Sequence, residues 1–123
     1  MSSTSIGREG EKIAGELLRS KGFEIIETNF HFGHGEIDII ARDGEYLVFC
    51  EVKARRGERF GDPVLAITPA KQRQLRKIAE GYLYRHNLFG TPCRFDVVTV
   101  RWNRDRPECR HIPNAFTFFD DAT

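Results

Sequence analysis

At 123 residues the chain is long enough for one domain that buries roughly two-thirds of its unfolded surface. Hydrophobic residues make up 40% and charged residues 30%, a balance that excludes an intrinsically disordered chain. No apolar run approaches the ~20 residues of a membrane span, no signal peptide opens the chain, and three cysteines without zinc-like spacing point to reduced, mostly buried thiols in a cytoplasmic protein.

The net charge of +1 hides an uneven distribution. Between Lys53 and Lys77 eight basic residues face only Glu58 and Asp62, so this segment carries +6 and the rest of the chain −5. A basic stripe of that kind is either a solvated helix face or a phosphate-binding surface.

Ser2 to Ser5 reads as a polar tail in which Thr4 or Ser5 caps a first helix. Ile6, Gly10, Ile13, Ala14, Leu17 and Leu18 then recur at helical spacing, and Gly22 supplies the stop. Gly7, Gly10 and Gly15 are poor helix formers, so the helix is expected to pack closely against a sheet. Glu11 lies at the margin of the apolar stripe. Phe23 to Phe30 reads as a strand and His31 to Gly35 as a short loop. His31 and His34 have a zinc-like spacing, but no further ligand lies near them in sequence and a glycine-rich loop does not preset a site.

Gly35 to Arg56 contains two apolar, β-branched and aromatic runs around Asp43-Gly44, a dipeptide that favours a tight hairpin turn. With Asp43 and Gly44 as the loop, Arg42 faces Glu45, Asp38 faces Phe49 and Glu36 faces Glu51. Alternation along the strands then gathers Glu36, Asp38, Glu51 and Lys53 on one face. Ile37, Ile39, Ala41, Tyr46, Val48, Cys50 and Val52 fall on the other. Ile40, Leu47 and Phe49 make the charged face apolar too, so the hairpin expects burial on both sides. Asp38 and Glu51 become diagonal neighbours, with β-carbons roughly 7–8 Å apart. Such a pair suits a hard cation, Mg²⁺ or Mn²⁺, with Lys53 aimed at the same place. Alone, Glu51-Val52-Lys53 is an ordinary tripeptide of a solvated strand.

Arg55 to Pro69, with Gly57, Gly61 and Pro63, reads as a mobile loop. Thr68-Pro69 supplies an N-cap and a first-turn proline for a second helix, whose buried stripe is Leu75, Ile78, Ala79, Tyr82 and Leu83. Lys71, Arg73, Arg76 and Lys77 lie near its start. Arg94 to Trp102 reads as a strand, Asn103 to Pro107 as a turn, and Glu108 to Ile112 as a last edge strand ended by Pro113. Phe116, Phe118 and Phe119 form either a strap over the core within residues 114–123 or an exposed patch for a homodimer.

Asp38 followed by Glu51-Val52-Lys53 resembles the Asp…(Asp/Glu)-x-Lys signature of the restriction-endonuclease-like, PD-(D/E)XK, nuclease superfamily. Gly10-Glu11, Gly35-Glu36-Ile37-Asp38, Phe49-Cys50-Glu51-Val52-Lys53 and Arg94-Phe95-Asp96-Val97-Val98, in that order, resemble the YraN family of uncharacterised bacterial proteins, itself similar to Holliday-junction resolvases. The match runs from about Gly7 to His111. The Gln-x-x-x-Tyr motif that some superfamily branches carry on the second helix is absent.

The resemblance implies a single nuclease-like α/β domain with a mixed central sheet flanked by helices. It implies a Mg²⁺- or Mn²⁺-dependent endonuclease acting on DNA phosphodiesters, branched DNA included. Asp38 and Glu51 would bind the metal with the Val52 carbonyl and Glu11, and Lys53 would orient the attacking hydroxide. Glu36 is either a supporting partner or an arginine's ion-pair partner. Arg55, Arg56, Lys71, Arg73 and Lys77 would contact phosphates. The alternative is a nucleic-acid-binding module that keeps the fold without cutting.

Overall fold

A computed structural model describes residues 3–56 and 67–118, with side chains from Ile6 onward. The elements are α1 (Ser3–Ser20), β1 (Glu24–Phe32), β2 (Gly35–Asp43), β3 (Tyr46–Arg56), α2 (Pro69–Arg85), β4 (Cys93–Asn103) and β5 (Arg106–Phe116). The strands form one sheet in the order β1-β2-β3-β4-β5. The β3–β4 pair is parallel and the others are antiparallel. This mixed sheet flanked by two helices is consistent with a restriction-endonuclease-like fold.

The two faces of the sheet carry separate cores. Ala14 and Leu18 of α1 pack with Phe23, Ile39, Ala41, Val48, Cys50, Val98 and Val100. Leu75, Ile78, Ala79, Tyr82 and Leu83 of α2 pack with Phe30, Ile37, Ile40, Leu47, Phe49, Phe95 and Val97. The central hairpin is therefore covered on both sides, as its two apolar faces require.

Close packing explains Gly10. A β-carbon there would lie 2.6 Å from Ala54 Cβ, so only glycine lets α1 settle on β3 at this depth. Thr68 caps α2 by accepting from the Lys71 N–H, with Pro69 at the first helical position, and the expected stripe from Leu75 to Leu83 is buried.

Several boundaries differ from expectation. The first helix takes in Ser3, Thr4 and Ser5, so the polar tail is shorter and neither Thr4 nor Ser5 is its cap; no glycine or proline stops its backward growth. The strand β1 continues through His31 and Phe32, which leaves only Gly33 and His34 between it and β2. The hairpin loop is Gly44-Glu45, not Asp43-Gly44, because Asp43 pairs with Tyr46. Gly44 sits at the first loop position with φ 59°, where a two-residue hairpin turn takes glycine. Phe49 consequently faces Ile40 rather than Asp38.

The last strand does not end at Pro113. Its pairing shifts between Phe95 and Val97, and Asn114 adopts φ 52°, so Pro113 falls in an irregularity of an edge strand where a missing N–H is tolerated. Phe116 stacks on Phe95 at 4.6 Å, and Phe118 lies 4.8 Å from the same ring. These two rings are a strap over the core, with Arg76 Nε donating to the Thr117 carbonyl at 2.8 Å; Phe119 lies outside the described residues. Of the cysteines only Cys50 is buried; Cys93 is half-buried and Cys109 exposed. Among the described residues, no helix is long and apolar enough to cross a membrane.

Candidate metal and nucleic-acid site

The site forms where β2 and β3 part. Their ladder runs from Asp43↔Tyr46 to Ile39↔Cys50, which leaves Asp38 and Glu51 as the next residues on the two strands. Asp38 takes over from the backbone: its Oδ2 accepts the Val52 N–H at 2.8 Å. A side chain thus closes the end of a backbone ladder, and the carboxyl group is held in the cleft between two strands.

The single charged face expected from strict alternation is not what forms. Gly35 and Ile37 pack toward α2, whereas Ile39 and Ala41 pack toward α1, so the alternation breaks between Ile37 and Ile39. Val52 and Ala54 lie on the α1 side, and Glu51 approaches Lys71 of α2 at 3.6 Å. Glu36 turns toward α1. Its carboxylate, those of Glu11 and of Asp38 lie within 4.8 Å of one another. Asp38 is the hub that both sides share, hydrogen-bonded to Glu51 on one side and to Glu11 on the other.

Asp38 and Glu51 are each only 7% exposed. Burial, then the hydrogen bond and charge of Glu51, push the Asp38 carboxyl up to about 8, against the Val52 N–H and the Lys71 charge. Burial and Glu51 thus favour the protonated form of Asp38 when no cation is bound. Burial also raises the Glu11 carboxyl, as do its acidic neighbours Asp38 and Glu36, while a hydrogen bond from Asn29 opposes the rise. Asn29 Nδ2 donates to Glu11 Oε2 at 3.0 Å, and His31 Nε2 lies 2.8 Å from Glu36 Oε2.

The donor set fits a hard divalent cation. Its oxygens come from carboxylates, and no cysteine belongs to it. One oxygen, Glu51 Oε2, is buried without a hydrogen-bond partner. An orphaned oxygen on a buried carboxyl pair is what a cation would satisfy.

Asp38, Glu51, Glu11 and Val52 are thus brought together, although Val52 offers its N–H to Asp38. Lys53 follows Glu51 by two residues, half-buried, and forms no ion pair among the described residues. Arg55 and Arg56 are exposed at the end of β3, and Arg73 and Lys77 are exposed on α2. Lys71, expected to face phosphates, faces Glu51. Arg76 is buried and tied to Gln72 and Thr117, so it leaves the basic stripe.

Asn29 and His31, which hold Glu11 and Glu36, are not signalled as parts of the site by the sequence, whereas Glu36 is, with its role left open. Asn29 carries only a backbone signal, since asparagine tolerates the left-handed φ of 53° it adopts here. The pairing of Lys71 with Glu51 has no local signal.

A second polar centre lies on β4. Asp96, fully buried, accepts from Arg94 at 3.0 and 3.2 Å and from the Asn114 N–H at 3.0 Å, and lies 2.7 Å from His111 Nε2. Burial alone would raise its carboxyl, but the hydrogen bonds from His111, Arg94 and the Asn114 N–H outweigh it and hold it below the usual range. This centre ties β5 to β4 and is fully satisfied.

The profile of the Uncharacterised protein family UPF0102 matches residues 10–100. Among similar curated proteins, the UPF0102 protein of Symbiobacterium thermophilum is 51% identical over 93% of this chain and 98% of its own length. Those of Dehalococcoides mccartyi and Geobacter metallireducens are 44% and 43% identical, covering 89% and 91% of this chain and 90% and 92% of theirs.

Proposed function

The chain belongs to the UPF0102 (YraN) family, and for it we propose a divalent-metal-dependent nuclease that hydrolyses phosphodiesters in DNA. The observation that carries this reading is the buried carboxyl pair Asp38–Glu51, one of whose oxygens has no hydrogen-bond partner. A structural pair would be expected to find donors for all its buried oxygens.

Asp38 and Glu51 would hold Mg²⁺ or Mn²⁺, with Glu11 closing the site from α1. When bound, such an ion lowers the pKa of its water and offsets charge on the phosphate. Asp38 must give up its proton to become a ligand, so metal affinity rises with pH. Asn29 keeps Glu11 in place, and His31 does the same for Glu36. Lys53, two residues beyond Glu51 on β3, would supply positive charge where a phosphate gains negative charge in the transition state. Arg55 and Arg56 beyond it, with Arg73 and Lys77 on α2, hold the phosphate backbone without reading bases.

The test is cleavage of branched, single-stranded and duplex DNA with Mg²⁺ or Mn²⁺, beside calorimetry of metal binding. Asp38→Ala and Glu51→Ala should each abolish both cleavage and metal binding. Lys53→Ala should bind metal but cut slowly, since its contribution falls in the transition state. No cleavage by the parent on any substrate, together with no Mn²⁺ binding that depends on Asp38, would overturn the nuclease reading in favour of a binding module.

A further inference from the structure

Among the described residues, the cation that pairs with Glu51 is Lys71, not the lysine of the Glu51-Val52-Lys53 tripeptide. Its Nζ lies 3.6 Å from Glu51 Oε2, the oxygen that has no hydrogen-bond partner. The separation is too long for a hydrogen bond yet short enough for charge pairing. Lys71 reaches inward from the first turn of α2, where Thr68 and Pro69 fix the backbone, and its side chain keeps 34% of its exposure. Among the described residues its ammonium group makes no hydrogen bond, so charge is what holds it at Glu51. A half-exposed ammonium group on a flexible stem can leave at low cost.

We propose that Lys71 is a resident counter-ion of Glu51 that a divalent cation displaces, and that the released ammonium group then takes a phosphate of the nucleic acid. The inference rests on the metal site of the proposed nuclease and adds an exchange to it. Metal and Lys71 compete for one carboxylate oxygen, so they are negatively coupled. Metal and phosphate are positively coupled, because the first frees the group that binds the second. Lys71 acts here as a positioning residue and does not touch the reacting atoms.

The experiment compares Mn²⁺ binding by calorimetry in the parent, Lys71→Met, Lys71→Gln, Arg19→Met and Asp38→Ala. Lys71→Met and Lys71→Gln should bind Mn²⁺ about three- to five-fold more tightly, the worth of a partly exposed ion pair. Arg19→Met removes the same charge from an exposed position at the end of α1 and should stay within about two-fold of the parent. Duplex DNA affinity, measured by anisotropy with Ca²⁺ and with chelator, should gain more from the ion in the parent than in Lys71→Met. Equal Mn²⁺ affinity in the parent and both Lys71 variants, with binding abolished by Asp38→Ala, would overturn the exchange and leave the metal site standing. Equal gains in DNA affinity would overturn the hand-over to phosphate. Absence of any Asp38-dependent Mn²⁺ binding in all five proteins would remove the metal site and the exchange with it.

Discussion

Asp38→Asn isolates the proton held between Asp38 and Glu51. Asparagine can still accept the Val52 N–H, now through its amide oxygen, and its amide nitrogen can donate to Glu51. What disappears is the titration. In the parent, Asp38 is pushed from an ordinary 3.8 to about 8 in the folded state. Between these values the folded chain keeps a proton that the unfolded chain has released, so stability falls as pH rises. The difference sets a ceiling of about 6 kcal/mol on the loss. Sharing of the proton with Glu51 and relaxation of the cleft will lower it, but even about 1–2 kcal/mol is measurable. Below pH 4 parent and variant should be similarly stable; above it the parent should fall behind, the gap levelling near pH 8. The assay is denaturant unfolding at pH 5, 6, 7 and 8 in the presence of chelator. Glu11 is raised chiefly by burial, which both proteins keep, so that part of its effect cancels in the difference. Parallel curves for parent and variant across the window would refute the shared-proton account.

Asp96→Ala should cost about 3–5 kcal/mol in denaturant unfolding, because it leaves Arg94 and the nearly fully buried His111 without their common partner. Asp96 is held low, so its contribution is present above the unfolded carboxylate pKa and fades only as pH falls into the acid range, opposite in sign to Asp38. Gly10→Ala should lower stability by about 1–3 kcal/mol and also weaken Mn²⁺ binding by calorimetry, since lifting α1 off Ala54 carries Glu11 away from Asp38. Arg73→Ala and Lys77→Ala should each reduce the salt slope of duplex DNA binding by about one without changing sequence preference; an unchanged slope would make them a solvated helix face.

Much of the fold is legible in local chemistry. Thr68-Pro69 marks the start of α2 because one side chain and one fixed φ do the capping. The hairpin is marked by Gly44, but the residue type does not say which loop position it occupies. Asp43-Gly44 and Gly44-Glu45 both make two-residue loops, so the shift moved every cross-strand partner by two residues and preserved parity. Had the loop held three residues, Ile39 and Cys50 would not share a face. The site was harder to read because it depends on the ladder failing. Periodicity assumes an unbroken strand, whereas Asp38 replaces a backbone acceptor and Ile37 and Ile39 turn to opposite cores. Pro113 misled for a related reason. On a central strand it would end pairing, but on an edge the neighbouring Asn114 N–H finds Asp96 instead.

The end of a ladder needs an acceptor for the Val52 N–H, and it does not need an acid. An asparagine at position 38 would meet that requirement and the Glu51 contact as well, without burying a group that prefers to ionise. Folding alone therefore favours the amide over the carboxyl, by an amount that grows with pH. What the carboxyl adds is the ability to lose its proton to a divalent cation, whose two positive charges match what one proton and Lys71 together supply to the pair and put them on one centre. Glu51 points the same way, since its buried Oε2 is left to Lys71 at 3.6 Å without a hydrogen bond. A site tuned for stability would have closed that gap. On this reasoning Asp38→Asn is both the more stable protein at pH 8 in chelator and the one whose unfolding midpoint no longer responds to Mn²⁺. A parent whose midpoint is also unmoved by Mn²⁺ at pH 8 would leave the acidity of Asp38 without a purpose in metal binding.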